Sequence, residues 1–288
     1  MQSLRDVISD ATTNGGVIWH FNFSELTALR AAVRVARELN TPIIMGLSEG
    51  EREFVGVREA VALIKRYRAE GLRIFLNADH TRSFEKIKEA VEAGFDAVIF
   101  DGSALPFQEN IRETKRAVTY ARMVNPRIIV EGELGYIGTA SKVLKKIPKG
   151  VQKTTVAEAT RFVKETGVDM LAPAVGNIHG MLAGGHEPKL DIPLIKKIKA
   201  ALQQVQGKSI PLVLHGASGN TDADICAAIK AGITVIHINT EIRVAWRKAL
   251  EQSLTKNKDE VAPYKLLEAG EDAIYRIIKK KMALSEQL

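Results

Sequence analysis

The sequence predicts an α/β protein of the (β/α)8 TIM-barrel class, a single domain over residues 1–288 with a C-terminal helical extension. Three observations carry the prediction. Eight short runs rich in Val, Ile, Leu and Phe recur along the chain, segments with helical apolar spacing separate them, and a polar residue stands at the end of most runs. Parallel barrel strands are buried on both faces, so they read as continuous apolar stretches. A chain of 288 residues has the length of one such barrel.

The expected strands are 17–22, 42–46, 73–78, 97–100, 128–133, 170–174, 211–215 and 235–239. The first helical segment, 24–39, opens on Ser24 as its expected N-cap and carries Leu26, Leu29, Val33 and Ala36 on one face. Segment 83–93 opens on Ser83 and stops at Gly94, 158–166 stops at Gly167, and 222–231 stops at Gly232. The pairs Ala93-Gly94, Thr166-Gly167 and Ala231-Gly232 each precede an apolar run, an echo of βα units. A helix over 241–254 follows the eighth strand, and 264–282 reads as one or two more. Eight strands with helical connections favour a closed barrel over an open doubly wound sheet. The stretch 138–155 is polar and basic and contains Pro148 and Gly150. It is too long for an ordinary βα loop and is expected to be a mobile lid.

Hydrophobic residues make up 45% of the chain and charged residues 26%, which implies a globular protein with a large core. The net charge of +7 suits an anionic ligand such as a phosphate. The basic residues are scattered, and short clusters such as Lys145-Lys146 and Lys279-Lys280-Lys281 read as solvated helix ends, so no nucleic-acid partner is expected. Cys226 is the single cysteine, which excludes an intrachain disulfide; it is expected on a buried helix face. No apolar run of membrane-spanning length and no leader pattern occurs. A cytoplasmic protein without a membrane partner is expected.

Three of the six histidines, His80, His179 and His215, follow expected strands. Three imidazoles with an open fourth position form a catalytic zinc arrangement. Asp79 directly precedes His80 and reads as an orienting carboxylate or a general acid/base. Asp101 and Glu133 also end strands, either as hydrogen-bonding supports or as ligands of a second cation position; the sequence leaves both open. The turns Gly216-Ala217-Ser218-Gly219 and Asn239-Thr240 follow the seventh and eighth strands, where barrels commonly bind phosphate. Gly180 and Gly216 let backbone amides approach a ligand. His20 and His186 lack such a context and read as structural or surface residues.

Taken together, Asp79-His80, Asn177-Ile178-His179-Gly180, Leu214-His215-Gly216 and Asn239-Thr240 resemble the class II, metal-dependent fructose-bisphosphate and tagatose-bisphosphate aldolases, from about Trp19 to about Trp246. The resemblance implies a barrel enzyme of carbohydrate metabolism such as glycolysis, a homodimer or homotetramer. It would cleave a ketose phosphate reversibly into dihydroxyacetone phosphate and an aldehyde with one catalytic Zn2+, and with a second divalent or monovalent cation as a further expectation. It implies that Asp79 is the acid/base on the C4 hydroxyl, that His80, His179 and His215 are zinc ligands, and that Asp101 and Glu133 mark the alternate metal position. It also implies that Gly180, Gly216, Ala217, Ser218, Asn239 and Thr240 hold the phosphate, and that Asn22 and Ser48 lie near the sugar and the aldehyde. Three departures stand out. The run 134–157 has lysines but no carboxylate, where the family carries acids that handle the C3 proton. His237 stands where the family has an Asn beside the enediolate oxygen, and its imidazole could donate the same hydrogen bond. No clear arginine for a second phosphate appears, with Lys265 and Arg276 as loose candidates. The alternatives are a metal-dependent sugar-phosphate epimerase or isomerase on the same barrel, and a non-catalytic sugar-phosphate-binding homologue.

Overall fold

Strands and helices alternate because apolar β-branched runs alternate with capped amphipathic segments, and the strands close on themselves. The computed structural model describes residues 2–139, 141–185, 187–203, 205 and 209–287; His186 lies outside them, as does Ala140 of the expected lid. The strands are β1 Ile18–Asn22, β2 Ile43–Leu47, β3 Ile74–Thr81, β4 Ala97–Phe100, β5 Ile129–Leu134, β6 Val143–Leu144, β7 Met170–Pro173, β8 Met181–Leu182, β9 Leu212–Leu214 and β10 Ile233–Ile238. Eight of them form a closed barrel in the order β1-β2-β3-β4-β5-β7-β9-β10, with parallel pairing throughout. These are the eight expected strands, with ends shifted by up to a few residues.

The helices are α1 Leu4–Asn14, α2 Leu26–Leu39, α3 Glu49–Val55, α4 Val57–Arg68, α5 Phe84–Ala93, α6 Phe107–Val124, α7 Val156–Thr166, α8 Ile192–Leu202, α9 Asp222–Ala231, α10 Thr240–Lys256 and α11 Pro263–Ala283. Several expectations are corrected. The N-cap of α2 is Glu25, whose carboxylate accepts the Thr27 and Ala28 amides, and not Ser24. α7 begins at Val156 under a Thr155–Glu158 capping box. The C-terminal segment, expected as one or two helices, is one long helix, α11, followed by a 3-10 turn at Leu284–Gln287, and so keeps to its expectation. Cys226 is half-buried against the core rather than fully enclosed. None of the described helices is long and apolar enough to cross a membrane.

The expected lid is laced down. β6 pairs with β8, the Met181 amide donates to the Lys142 carbonyl at 3.0 Å and the His179 amide to the Ile137 carbonyl at 2.9 Å. Lys153 reaches Asp191 at 2.8 Å. The described residues of this segment are thereby tied to β8 and to Asp191.

Inside the barrel the inward positions change chemistry along each strand. Ile18, Ile44, Phe75, Ile129, Met170, Val213 and Val235 cluster at one end with Leu4, Val7 and Ile8 of α1. Two residues further along, the same inward rows carry His20, Asn77, Glu131, His215 and His237, all buried. The side-chain period of two puts these residues on the same face as the apolar ones. The outward side chains, among them Trp19, Phe21, Met45, Leu76 and Val98, pack against the helices in the main core. Each such fully buried large side chain contributes roughly 1.5–3 kcal/mol.

Candidate active site and metal centre

Adjacent strand residues ordinarily point to opposite faces, yet Asp79 and His80 both reach the mouth. The register with β4 shifts between Ala78 and Thr81, and His80 adopts φ 42. A bulge with its residue in the left-handed region re-aims one side chain, and for a non-glycine residue this costs on the order of 1–2 kcal/mol.

His80, His179 and His215 offer donor atoms within 4.8 Å of one another. Their surroundings fix which nitrogens face the centre. His215 Nε2–H donates to Glu131 Oε1 at 2.7 Å, leaving Nδ1 as a lone pair. His80 Nδ1–H donates to Asp101 Oδ2 at 3.2 Å, with Glu133 Oε2 also at 3.2 Å, which turns Nε2 toward the centre. These two nitrogens face each other at 3.2 Å. Without an ion a shared proton joins them in a hydrogen bond; nitrogens bound tetrahedrally to zinc at 2.0–2.1 Å lie about 3.3 Å apart, so the same spacing suits an ion in the proton's place. The His179 ring stands at 89° to His80, as ligands converging from different directions do. The donor set therefore fits a zinc-like ion, with carboxylates behind two of the imidazoles.

Charge supports the same assignment. Burial works against a cation on His80, but Asp79 and Glu133 outweigh it and hold the imidazole well above its ordinary range; the same carboxylates favour a bound cation. Burial, with His80 and His215 nearby, pushes His179 well below its ordinary range, so it stays neutral, as a ligand must. Asp101 and Glu133 lie on the far side of His80 and, with it, form a second set of donors within 4.8 Å. A third set, His20, Asp79 and His237, is poorly suited to an ion. The rings of His20 and His237 are stacked 3.5 Å apart at 6°, so their in-plane lone pairs run parallel and cannot converge on one ion.

Asp79 is buried at 3% exposure. Burial alone would raise its carboxyl, but His80, His237 and His20 hold it well below the usual carboxylate range, so it stays ionised and ready to accept a proton. Asn22 Nδ2 donates to Asp79 Oδ2 and to Glu51 Oε2, both at 2.8 Å. His237 Nδ1 is 3.5 Å from Asp79 Oδ1. His20, read from sequence as structural or surface, is fully buried beneath His237, and burial pushes it down to about 4. Gly46 makes its room: a Cβ there would lie 2.1 Å from His20 Cε1.

A cavity of about 390 Å³ opens above these groups. The expected site residues Asn22, Ser48, Asp79, His80, His179, Gly180, His215, Gly216, Ser218, His237, Asn239 and Thr240 all line it. Ala217 does not: its side chain is fully buried in the core, which leaves only its backbone for a ligand. Ser218 Oγ accepts the Asn239 and Glu241 amides, both at 3.3 Å, and so joins the two turns. Gly216 adopts φ 59, and a Cβ there would sit 2.1 Å from the Ile178 carbonyl oxygen. Lys265 is instead paired with Glu260 at 2.6 Å and Arg276 is exposed; neither lines the cavity.

Sequence reasoning missed several groups. Glu131 sits two residues before Glu133 and shares its face, a signal the strand period offered. Glu51 closes a capping box with Ser48, a readable Ser-x-x-Glu pattern. Arg243, one helical turn beyond Asn239, pairs with Glu51 and donates to the Ser141 carbonyl at 3.2 Å. Arg82, Glu49 and Glu53 also line the cavity.

A barrel mouth combining a three-imidazole centre, an ionised aspartate and an amide-rich turn agrees with comparisons to known proteins. The model of the family "Fructose-bisphosphate aldolase class-II" matches residues 2–287. The chain belongs to the class II fructose-bisphosphate aldolase family. It is thus an aldolase of the lyase class. The chain is 35% identical to a fructose-bisphosphate aldolase of Staphylococcus epidermidis, over 97% of this chain and 95% of that one. It is 34% identical to that of Geobacillus stearothermophilus, with the same coverage. Among solved structures, the YdjI aldolase of Escherichia coli K12 is 31% identical and superposes with a TM-score of 0.80, covering 98% of this chain and 96% of that one.

Proposed function

We propose that this aldolase is zinc-dependent and reversibly cleaves a ketose 1-phosphate or ketose 1,6-bisphosphate into dihydroxyacetone phosphate and an aldehyde. The observation that carries the reading is the ionised Asp79 carboxylate beside three convergent imidazoles, with a phosphate-suited turn in the same cavity.

In this reading His80, His179 and His215 hold the ion, with Glu131 fixing His215 and with Asp101 and Glu133 fixing His80 or marking a second cation position. A zinc ion held there supplies a Lewis acid for the ketone oxygen. Asp79 takes the proton of the C4 hydroxyl in cleavage, as the C3–C4 bond breaks, C4 becomes the aldehyde carbon and the electron pair passes to the three-carbon enediolate, which takes a proton from water at C3; condensation runs the same steps in reverse. Asn22 holds the carboxylate in place, and His237 presents an imidazole to the developing oxyanion. Amides near Gly180, Gly216, Ala217 and Ser218, with Asn239 and Thr240, grip the phosphate and orient the three-carbon unit. Ser48 faces the aldehyde half. We also place the enzyme in the cytoplasm, as a homodimer or homotetramer, on the family resemblance.

The test is release of dihydroxyacetone phosphate from a panel of ketose 1-phosphates and 1,6-bisphosphates, with and without chelator. Release that chelation abolishes and added zinc restores is expected. No release from any substrate, with one zinc bound per chain, would overturn the reading.

A further inference from the structure

The aldehyde end of the cavity has a charge balance unlike that expected for a second phosphate. The amide-rich turns follow β9 and β10, and Asp79 ends β3, so the aldehyde half extends toward the loops after β2 and β3. Ser48, Glu49, Gly50, Glu53 and Arg82 line that side, and Arg243 leans over it from α10. Both arginines are already engaged. Arg243 pairs with Glu51, a carboxylate only 5% exposed, and Arg82 Nε lies 3.4 Å from buried Asp101. Drawing Arg243 onto a ligand would strip buried Glu51 of its cation, which is costly, whereas Asp101 keeps His80 and Ser103 if Arg82 moves. Glu49 accepts the Arg82 amide at 2.9 Å, which leaves its charge uncancelled. Among the described residues Glu53 meets Lys86, at 3.5 Å and largely in solvent.

We infer that this aldolase selects an aldehyde without a phosphate, so that its substrate is a ketose 1-phosphate rather than a 1,6-bisphosphate. This rests on the aldolase reading above and narrows it. A phosphate dianion on this wall would face Glu49 and Glu53, and among the described lining residues the arginines are Arg243, held by Glu51, and Arg82, which already leans on Asp101. The hydroxyls of an uncharged polyol aldehyde would instead donate to those carboxylates, which are acceptor-only when ionised. Glu49 and Glu53 are thus specificity-determining residues: like-charge juxtaposition rejects the wrong ligand more than it strengthens the right one.

The experiment condenses dihydroxyacetone phosphate with glyceraldehyde and with glyceraldehyde 3-phosphate, both enantiomers of each, using zinc-loaded enzyme. The two aldehydes differ only in the phosphate. A kcat/KM at least about tenfold higher for glyceraldehyde is expected. Equal values, or a preference for the phosphorylated aldehyde, overturn the inference and leave the aldolase reading intact. No product from either overturns both. Glu53→Lys and Glu49→Gln, on the solvent side of the wall, are each expected to shift the ratio several-fold toward glyceraldehyde 3-phosphate, mainly through KM. An unchanged ratio in both variants removes these carboxylates as its cause.

Discussion

The two ends of the barrel interior are built on the same strands and obey opposite rules. At the end closed by α1, inward residues such as Ile18, Ile44, Phe75 and Val235 are apolar and packed with Leu4, Val7 and Ile8. At the other end, Asn22 Oδ1, Asn77 Oδ1, Glu131 Oε2 and both ring nitrogens of His237 are buried without a hydrogen-bond partner among the described residues, and His80 holds a left-handed backbone. An unpaired buried polar group costs about 1–3 kcal/mol. The mouth is therefore a net drain on stability, which the apolar end and the helix-facing core offset. Strain and unmet polarity collect where a ligand is to be bound.

If this division holds, substitutions at the mouth should cost activity far more than stability, and substitutions at the closed end the reverse. The largest effect is expected at Asp79. Asp79→Ala should lower kcat/KM by roughly 10²–10⁴, the usual weight of acid/base catalysis, with bound zinc and the thermal midpoint little changed; near-normal turnover would remove Asp79 from the chemistry. His179→Ala and His215→Ala should lose bound zinc, counted by elemental analysis, together with activity, and full occupancy in both would break the ligand assignment. At the closed end, Phe75→Ala should cost about 3–5 kcal/mol in denaturant unfolding, while kcat per folded molecule stays near the parent value. A collapse of kcat in that variant would mean the two ends are not separable.

Two smaller effects sharpen the boundary. Gly46→Ala places a methyl against His20 and should cost about 1–3 kcal/mol through overpacking. Because His20 supports His237, kcat should fall as well, and a stability loss with unaltered kcat would show that the stacked pair does not position the site. Glu25→Ala removes the α2 cap and should cost about 1 kcal/mol with no kinetic change. A measurable kinetic change would extend the site beyond the mouth.

The amino-acid sequence by itself determined the barrel, because eight doubly buried strands with capped helices between them leave a periodic mark that needs no tertiary information. It also marked the strand-end residues, since a polar group after an apolar run stands out locally. Only the tertiary structure decided which nitrogens of His80 and His215 face the centre, because that depends on Asp101, Glu133 and Glu131 arriving from other strands. The joint approach of Asp79 and His80 needed a bulge whose left-handed residue carries no sequence signal. The burial of His20 under His237 needed a glycine on the neighbouring strand, and the Glu51–Arg243 pair spans 192 positions, a separation no local pattern encodes. Periodicity and capping are local physics and can be read along the chain, whereas the polarity of a barrel mouth is set by residues that meet only when the ring closes.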